Sequence, residues 1–356
     1  MPRPTFATVN RSAVRHNYRV LAAQAPHSKL IPMLKADGYG HGAAKIADSL
    51  NDLAIAYAVA TPEEAQQLRV AGIEQPLLLL EGAFDPVDVT FASANNCWLM
   101  IHNQQQIEWL LKAKLPAAVR VWLGVDTGMH RLGLTPEELK PAYRALLGSS
   151  NVHSAMVVCS HFHSAEQGVQ AVADQIELFD AVAADLPAEQ SLANSAAIIG
   201  LQDCARDWCR PGIALYGASM QSPSELKLQP VMGLHSRVTA LRKVPVGAIV
   251  GYNGRWRAER DSLIATVPIG YADGYPRHAS NGTPVAVHGQ RAALVGRVSM
   301  DMVTVDVTDV EGVALGSEVE LWGENIPVTE VAEAAGTISY QLLTGVSSRV
   351  PRLYID

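Results

Sequence analysis

Nothing in this chain approaches the roughly 20 consecutive apolar residues that a membrane-spanning helix requires, although 48% of its 356 residues are hydrophobic. The opening stretch MPRPTFATVN has no apolar core of the kind a secretory leader carries. Cysteine is scarce. Cys97, Cys159, Cys204 and Cys209 fit no zinc spacing, and in a reducing compartment they read as free thiols. These absences point to a cytoplasmic protein with no membrane partner. Positive charge is also short: 28 Lys and Arg stand against 35 Asp and Glu, for a net charge of −7, and no basic run follows a face or a tail. That speaks against a nucleic-acid partner. Repeats and low-complexity tracts are lacking too. A charged fraction of 18% is ordinary for a folded protein, and the length allows two domains with a sizeable core.

What is present is an alternation. From about residue 25 to 230, short β-like runs (KLIPMLK, YAVA, PLLLLEG, CWLMIH, VRVWLGV, AMVVCSHF) alternate with Ala-rich helical segments such as HGAAKIADSLN. Thr61 and Pro62 stand where a cap and a first helical residue belong. Most of the runs are continuously apolar, which suits strands covered on both faces. Repeated β-then-α units of this kind build either a parallel α/β barrel or a doubly wound sheet. After Pro230 the texture becomes β-rich and often alternating, with VTEVAEAAG the one clear helix. A boundary is expected within residues 220–232. The division expected is residues 1–10 as an N-terminal strand, 11–228 as the barrel and 229–356 as a mainly-β C-terminal domain.

The stretch LIPMLKADGYGHG places Lys35 at the end of an apolar run and before three alternating glycines. At a strand's carboxyl end its amine would lie at the catalytic face of a barrel, and desolvation would free its lone pair to attack a carbonyl. A lone lysine at a strand end ordinarily snorkels to solvent, so other residues must decide. No GxGxxG is met, and a P-loop is excluded because the lysine precedes the glycines. LANSAAII and CRPGIALYG each pair small residues with a turn into a helix, where backbone N–H groups and a hydroxyl can hold a phosphate. Late in a barrel is where phosphate sites of that architecture form. An apolar-flanked lysine with two such turns suits a phosphorylated aldehyde.

The ordered set LKADGYGHG, DTGMHRLG, SHF, NSAA, RPGIALYG, IGYADGY, GRVSMD and RVPR resembles the alanine racemase family, along the whole chain. The resemblance implies an N-terminal (β/α)8 TIM-type barrel followed by a mainly-β domain, and a pyridoxal 5'-phosphate (PLP) enzyme that interconverts L- and D-alanine. It implies a head-to-tail homodimer. Lys35 would hold PLP as a Schiff base and serve as one of two bases. The other base, Tyr271, would come from the partner subunit. Tyr39, Asn194, Ser195 and the amides of Gly212 and Ile213 would surround the cofactor phosphate. Arg210 would face the pyridine nitrogen, and His161 would lie against the ring. Arg131 and the partner's Met300 amide would bind the substrate carboxylate. No metal is implied.

Two positions depart from the family pattern. Many members carry, seven residues before the arginine matching Arg131, a lysine modified to a carbamate that orients it; here that position is Gly124. A chloride, a water or a neighbouring carboxylate is expected in its place, or else a less tightly held Arg131. Many members also have a tyrosine before RVPR that reaches the phosphate and narrows the entrance. Here it is Ser348, and a roomier entrance is expected. Three rival readings compete. His161 and His163 in CSHFHS could serve a barrel metal hydrolase, but no carbamate lysine or aspartate ligand set accompanies them. A PLP carrier would lack the segment holding Tyr271 and Met300. A decarboxylase of the same fold type would need a late reactive cysteine, and none follows Cys209.

Overall fold

The continuous apolar runs of the first half become parallel strands. In the computed structural model, which describes residues 3–218 and 226–356, the strands are β1 (Phe6–Asn10), β2 (Lys29–Leu30), β3 (Tyr57–Val59), β4 (Leu77–Leu79), β5 (Cys97–Ile101), β6 (Val121–Gly124), β7 (Val157–Cys159), β8 (Glu189–Asn194) and β9 (Trp208–Arg210). Strands β2 to β9 form one eight-stranded sheet in the order β2-β9-β8-β7-β6-β5-β4-β3. The circle closes just beyond β2, where Met33 bridges Ala58 of β3 in parallel and the Leu34 amide donates to Ala58 O at 2.7 Å. The structure is therefore the barrel and not the doubly wound sheet. All residues of β3, β4, β6 and β7 are buried, because side chains fill the barrel inside and helices cover it outside.

The helices start where the sequence offers caps. Thr61 accepts from the Glu64 amide ahead of Pro62–Val70, and Asp85, Asn103 and Thr135 cap later helices in the same way. Each cap contributes about 1 kcal/mol. At the closed end of the barrel, Trp208 meets Trp122 at 5.5 Å and Trp98 at 5.6 Å, ring centre to ring centre. Glu189 ties Lys29, Arg120 and the Trp208 indole N–H together there.

The second half forms β10 (Met232–Arg237), β11 (Ala240–Val244), β12 (Ile249–Val250), β13 (Trp256–Arg257), β14 (Ser262–Val267), β15 (Pro284–Val287), β16 (Gln290–Leu294), β17 (Val303–Asp306), β18 (Glu318–Trp322) and β19 (Arg352–Ile355). A nine-stranded sheet runs β11-β14-β17-β16-β15-β18-β10-β1-β19, with β12 and β13 as a separate ribbon. The opening strand β1 thus joins the C-terminal sheet, antiparallel to β10 and parallel to β19. It buries Ala7 and Val9 on one face, as a period of two requires. The expected helix in VTEVAEAAG is present as Val328–Ala334. A second helix, Ser339–Gly345, corrects the view that it stands alone. It buries Leu342 and Leu343 but is too short for a helical period to show in the sequence. The expected boundary at 220–232 falls partly outside the described residues. All four cysteines are buried and unpaired. Among the described residues no helix is long and apolar enough to cross a membrane.

Candidate active site

The carboxyl ends of the barrel strands open on one cavity of about 320 Å³. Lys35 follows the β2 segment, Gly124 ends β6, Cys159 ends β7, Asn194 ends β8 and Arg210 ends β9. All of them line the cavity, together with Tyr39, Arg131, His161, Ser195, Gly212 and Ile213. Residues spread from position 35 to 213 therefore converge because parallel strands all end on the same rim.

Lys35 has accessible surface, yet that surface faces the cavity. Desolvation holds its amine below the usual lysine range. The positive charges of Arg131 and Arg210 push the same way, against Glu81 and Glu64. The four residues after it form a left-handed turn, with φ of 53°, 53°, 61° and 53° at Ala36, Asp37, Gly38 and Tyr39. Left-handed backbone costs roughly 1–2 kcal/mol at each non-glycine residue, so tertiary contacts must hold it. Glu64 accepts from the Ala36 amide at 2.7 Å and Asp37 from the Ala43 amide at 2.9 Å. The Tyr39 hydroxyl is thereby set against Gly212, where an added Cβ would lie only 2.6 Å from it. Burial raises the Tyr39 phenol far above its ordinary value.

Ser195 stands directly after the capping residue Asn194, whose side chain accepts from the Ala197 amide at 3.1 Å. Ser195 Oγ accepts from the Gly212 amide at 2.8 Å and the Ala214 amide at 3.3 Å. The Gly212 amide is therefore already engaged, and the Ser195 hydroxyl keeps its own proton to donate. The Ile213 amide opens a 3-10 turn and has no acceptor within that turn. Tyr39 Oη, Ser195 Oγ and the Ile213 N–H thus edge a small space at Gly212, which suits a phosphate group better than any side chain.

Arg210 is buried and its Nη atoms are fully used. Nη1 donates to Ser191 O and Oγ, and Nη2 donates to Ser160 O and Leu192 O and points at His161 Nδ1 at 3.4 Å. Among the described residues its Nε makes no such bond. The His161 imidazole is pushed down to about 3 by burial and by Arg210, Arg131 and Lys35. His163 lies exposed on the following loop, beside Ser164 Oγ at 2.8 Å. The two imidazoles of the HxH pair do not converge, and among the described residues no group of three or more potential metal ligands forms.

Arg131 sits on a loop folded by Asp126, whose carboxylate accepts from the Gly128 and His130 amides and meets the His130 ring. The guanidinium itself is exposed, and among the described residues it has no ion pair or hydrogen bond. A Cβ at Gly124 would find only ordinary contacts, 3.5 Å from Met100 Sδ and from Ile101 O. Of the alternatives raised by this glycine, the neighbouring carboxylate of Asp126 serves its own loop. Ser348 is exposed and does not line the cavity, whereas Tyr340 from the unforeseen helix does. Tyr340 stands three residues before the buried Leu343 on the same short helix, which leaves no period in the sequence to announce it.

Tyr271 and Met300 lie elsewhere. Both are exposed, at 38% and 53%, and neither lines the cavity of its own chain. Backbone bonds from the Tyr271 amide to Ser299 O and from the Ala272 amide to Met300 O hold them side by side. Asp273 beneath them is fully buried, paired with Arg3 at 2.6 Å and accepting from the Gly270 amide at 3.0 Å. Asp301 pairs with Arg349 at 2.7 Å.

Burial also depresses His41, to about 4. Unfolded chain takes up protons at His41 and His161 below about 6.5, while the folded chain does so only near 4 and 3. Between those values the unfolded state binds more protons, so stability falls as pH falls. The cofactor-free protein is expected to lose several degrees of melting temperature between about pH 6.5 and pH 4.5, before most carboxylates titrate. A calorimetric midpoint that stays level across this window contradicts the depressed pKa values of the two rings.

Family models of the alanine racemase N-terminal and C-terminal domains match residues 9–220 and 231–354. The alanine racemase of Pseudomonas taetrolens is 45% identical over 358 residues, covering 99% of each chain. The biosynthetic alanine racemase of Pseudomonas aeruginosa superposes with a TM-score of 0.96 at 43% identity, covering 99% of this chain and 100% of that one. An alanine racemase from Bartonella henselae, solved with covalently bound pyridoxal phosphate, gives 0.88 at 32% identity, covering 99% and 100%.

Proposed function

This chain belongs to the alanine racemase family, and on that premise we propose that it interconverts L- and D-alanine with PLP held in the barrel-mouth cavity, between Lys35 and a Tyr271 supplied by a second copy. Family membership makes it an amino-acid racemase. The observation that carries the finer reading is the division of groups. Lys35, Tyr39, Ser195, Arg210 and Arg131 meet in one cavity, while Tyr271 and Met300 stand together on the surface of the other domain.

Tyr39, Ser195 and the Ile213 amide would hold the cofactor phosphate, and His161 would lie against the ring. Arg210 would face the ring nitrogen and leave it unprotonated, since a guanidinium does not give up its proton. When bound, PLP supplies an electron-withdrawing ring that makes the α-proton of an amino acid acidic.

Lys35 would take that proton on one face, and the desolvation that lowers its pKa favours the neutral amine this role needs. Two titratable groups beside the expected cofactor are poorly suited to be the second base. The His161 ring is too weak a base and the Tyr39 phenol too weak an acid near neutral pH. Tyr271 of a second copy would return a proton on the opposite face. Arg131 and the second copy's Met300 amide would bind the substrate carboxylate and fix which faces the two bases see. A head-to-tail dimer of residues 11–228 in one chain and 229–356 in the other follows from this division. No described helix crosses a membrane, and a cytoplasmic location accords with that.

The test is direct. Borohydride added to the purified coloured protein should fix the label on the peptide bearing Lys35, and a chiral assay should show alanine racemised. Label on another lysine, or alanine left optically pure, overturns the proposal.

A further inference from the structure

One buried titratable group near the cavity has no part in this chemistry. His41 is 0% exposed. Its Nδ1 lies 3.0 Å from Gly38 O and 2.9 Å from Tyr39 O. Carbonyls only accept, so Nδ1 carries the proton and the ring donates back into the left-handed turn that follows Lys35. Its Nε2 is buried without a partner among the described residues. Burial and the nearby Arg352 keep the ring neutral. The ring stacks on Tyr216 at 4.5 Å, and Tyr216 stacks in turn on Tyr39 at 4.9 Å. The Tyr216 hydroxyl donates to Met33 O at 2.8 Å, two residues before Lys35. From the C-terminal domain, Arg352 of the RVPR motif donates through Nε to Gly40 O at 3.2 Å.

We propose that His41 is a positioning residue for the cofactor: it clamps the turn from the interior side, and so sets the Tyr39 hydroxyl and the Lys35 amine on the cavity. The physical reason is that three non-glycine residues in this turn prefer the opposite hand. Without a donor to Gly38 O and Tyr39 O, right-handed or extended conformers compete, and each of them moves the Tyr39 hydroxyl away from Gly212. His41 touches no reacting atom. Its effect passes through Tyr39 and Lys35, and the inference rests on the proposed binding of PLP in this cavity.

The experiment compares apparent PLP dissociation constants, read by quenching of intrinsic fluorescence, with the melting temperatures of the cofactor-free proteins. His41→Phe keeps the stack on Tyr216 and removes the donor. It should weaken PLP binding by about 10-fold or more, the size of one lost buried hydrogen bond. His41→Asn places an amide donor where Nδ1 stood, and should stay within about 3-fold of wild type. An unchanged PLP constant in His41→Phe, with only the melting temperature lowered, would reduce His41 to a structural residue and overturn the inference. Should His41→Phe fail to fold, His41→Asn against His41→Gln carries the test. The longer glutamine cannot close back on its own neighbouring carbonyls and should bind PLP more weakly, so equal constants overturn the inference. A wild-type protein that takes up no PLP would overturn the proposed function and this inference together.

Discussion

Lys35→Ala is expected to abolish racemisation in both directions, with kcat down by at least about 10⁴-fold. Two losses coincide in this one side chain. The cavity loses the amine available to join the aldehyde of the cofactor, and it loses the base on one face of the substrate. Three groups near it are unsuited to replace it. Tyr39 is too weak an acid, His161 too weak a base, and the Arg210 guanidinium stays protonated. Lys35→Arg should be as inactive, because an arginine in that place can neither attack a carbonyl nor accept a proton. The fold should survive both changes, since Lys35 has accessible surface and lies at a rim. Circular dichroism checks this, and a chiral assay in both directions reads the activity. Residual turnover above a hundredth of wild type would remove Lys35 from the centre of the mechanism.

Tyr271→Phe is expected to lower kcat by about 10²- to 10⁴-fold with little change in KM, because the phenol transfers a proton and holds no part of the substrate. The decisive measurement mixes two inactive proteins. In a dimer whose sites combine Lys35 of one copy with Tyr271 of the other, a mixed pair of Lys35→Ala and Tyr271→Phe chains has one intact site and one doubly disabled site. Random exchange at equal amounts makes half the dimers mixed, so about one quarter of wild-type activity should return. No recovery after exchange, shown complete by tagged chains, would place both bases in a single subunit. The isolated chain offers a reason to expect recovery. Tyr271 is outside its own cavity and 38% exposed, beside the still more exposed Met300.

The sequence made much of the site legible because barrel geometry is forgiving. Any residue just past a strand's carboxyl end falls on the same rim, so reading KLIPMLK as a strand was enough to place Lys35 there, while His161, Ser195 and Arg210 rested on the family resemblance. The Ser339–Gly345 helix and its Tyr340 were missed because one buried pair, Leu342 and Leu343, cannot define a period. The engagement of the Gly212 amide by Ser195 Oγ was equally hidden. The two residues are 17 positions apart, and only the fold brings them to 2.8 Å.

The amino-acid order alone determined the alternation of strands and helices, the caps that begin the helices and the residue types available for proton transfer, since these depend on neighbours within a few positions. The hand of the turn after Lys35 was decided elsewhere. Ala36, Asp37 and Tyr39 locally prefer a right-handed path, and they take the other one because groups brought in by the fold hold it there. One of those groups, the guanidinium of Arg352, reaches Gly40 across 312 positions of chain. A local preference worth roughly 1–2 kcal/mol per residue yields to several tertiary contacts acting together, and no short stretch of sequence records that balance.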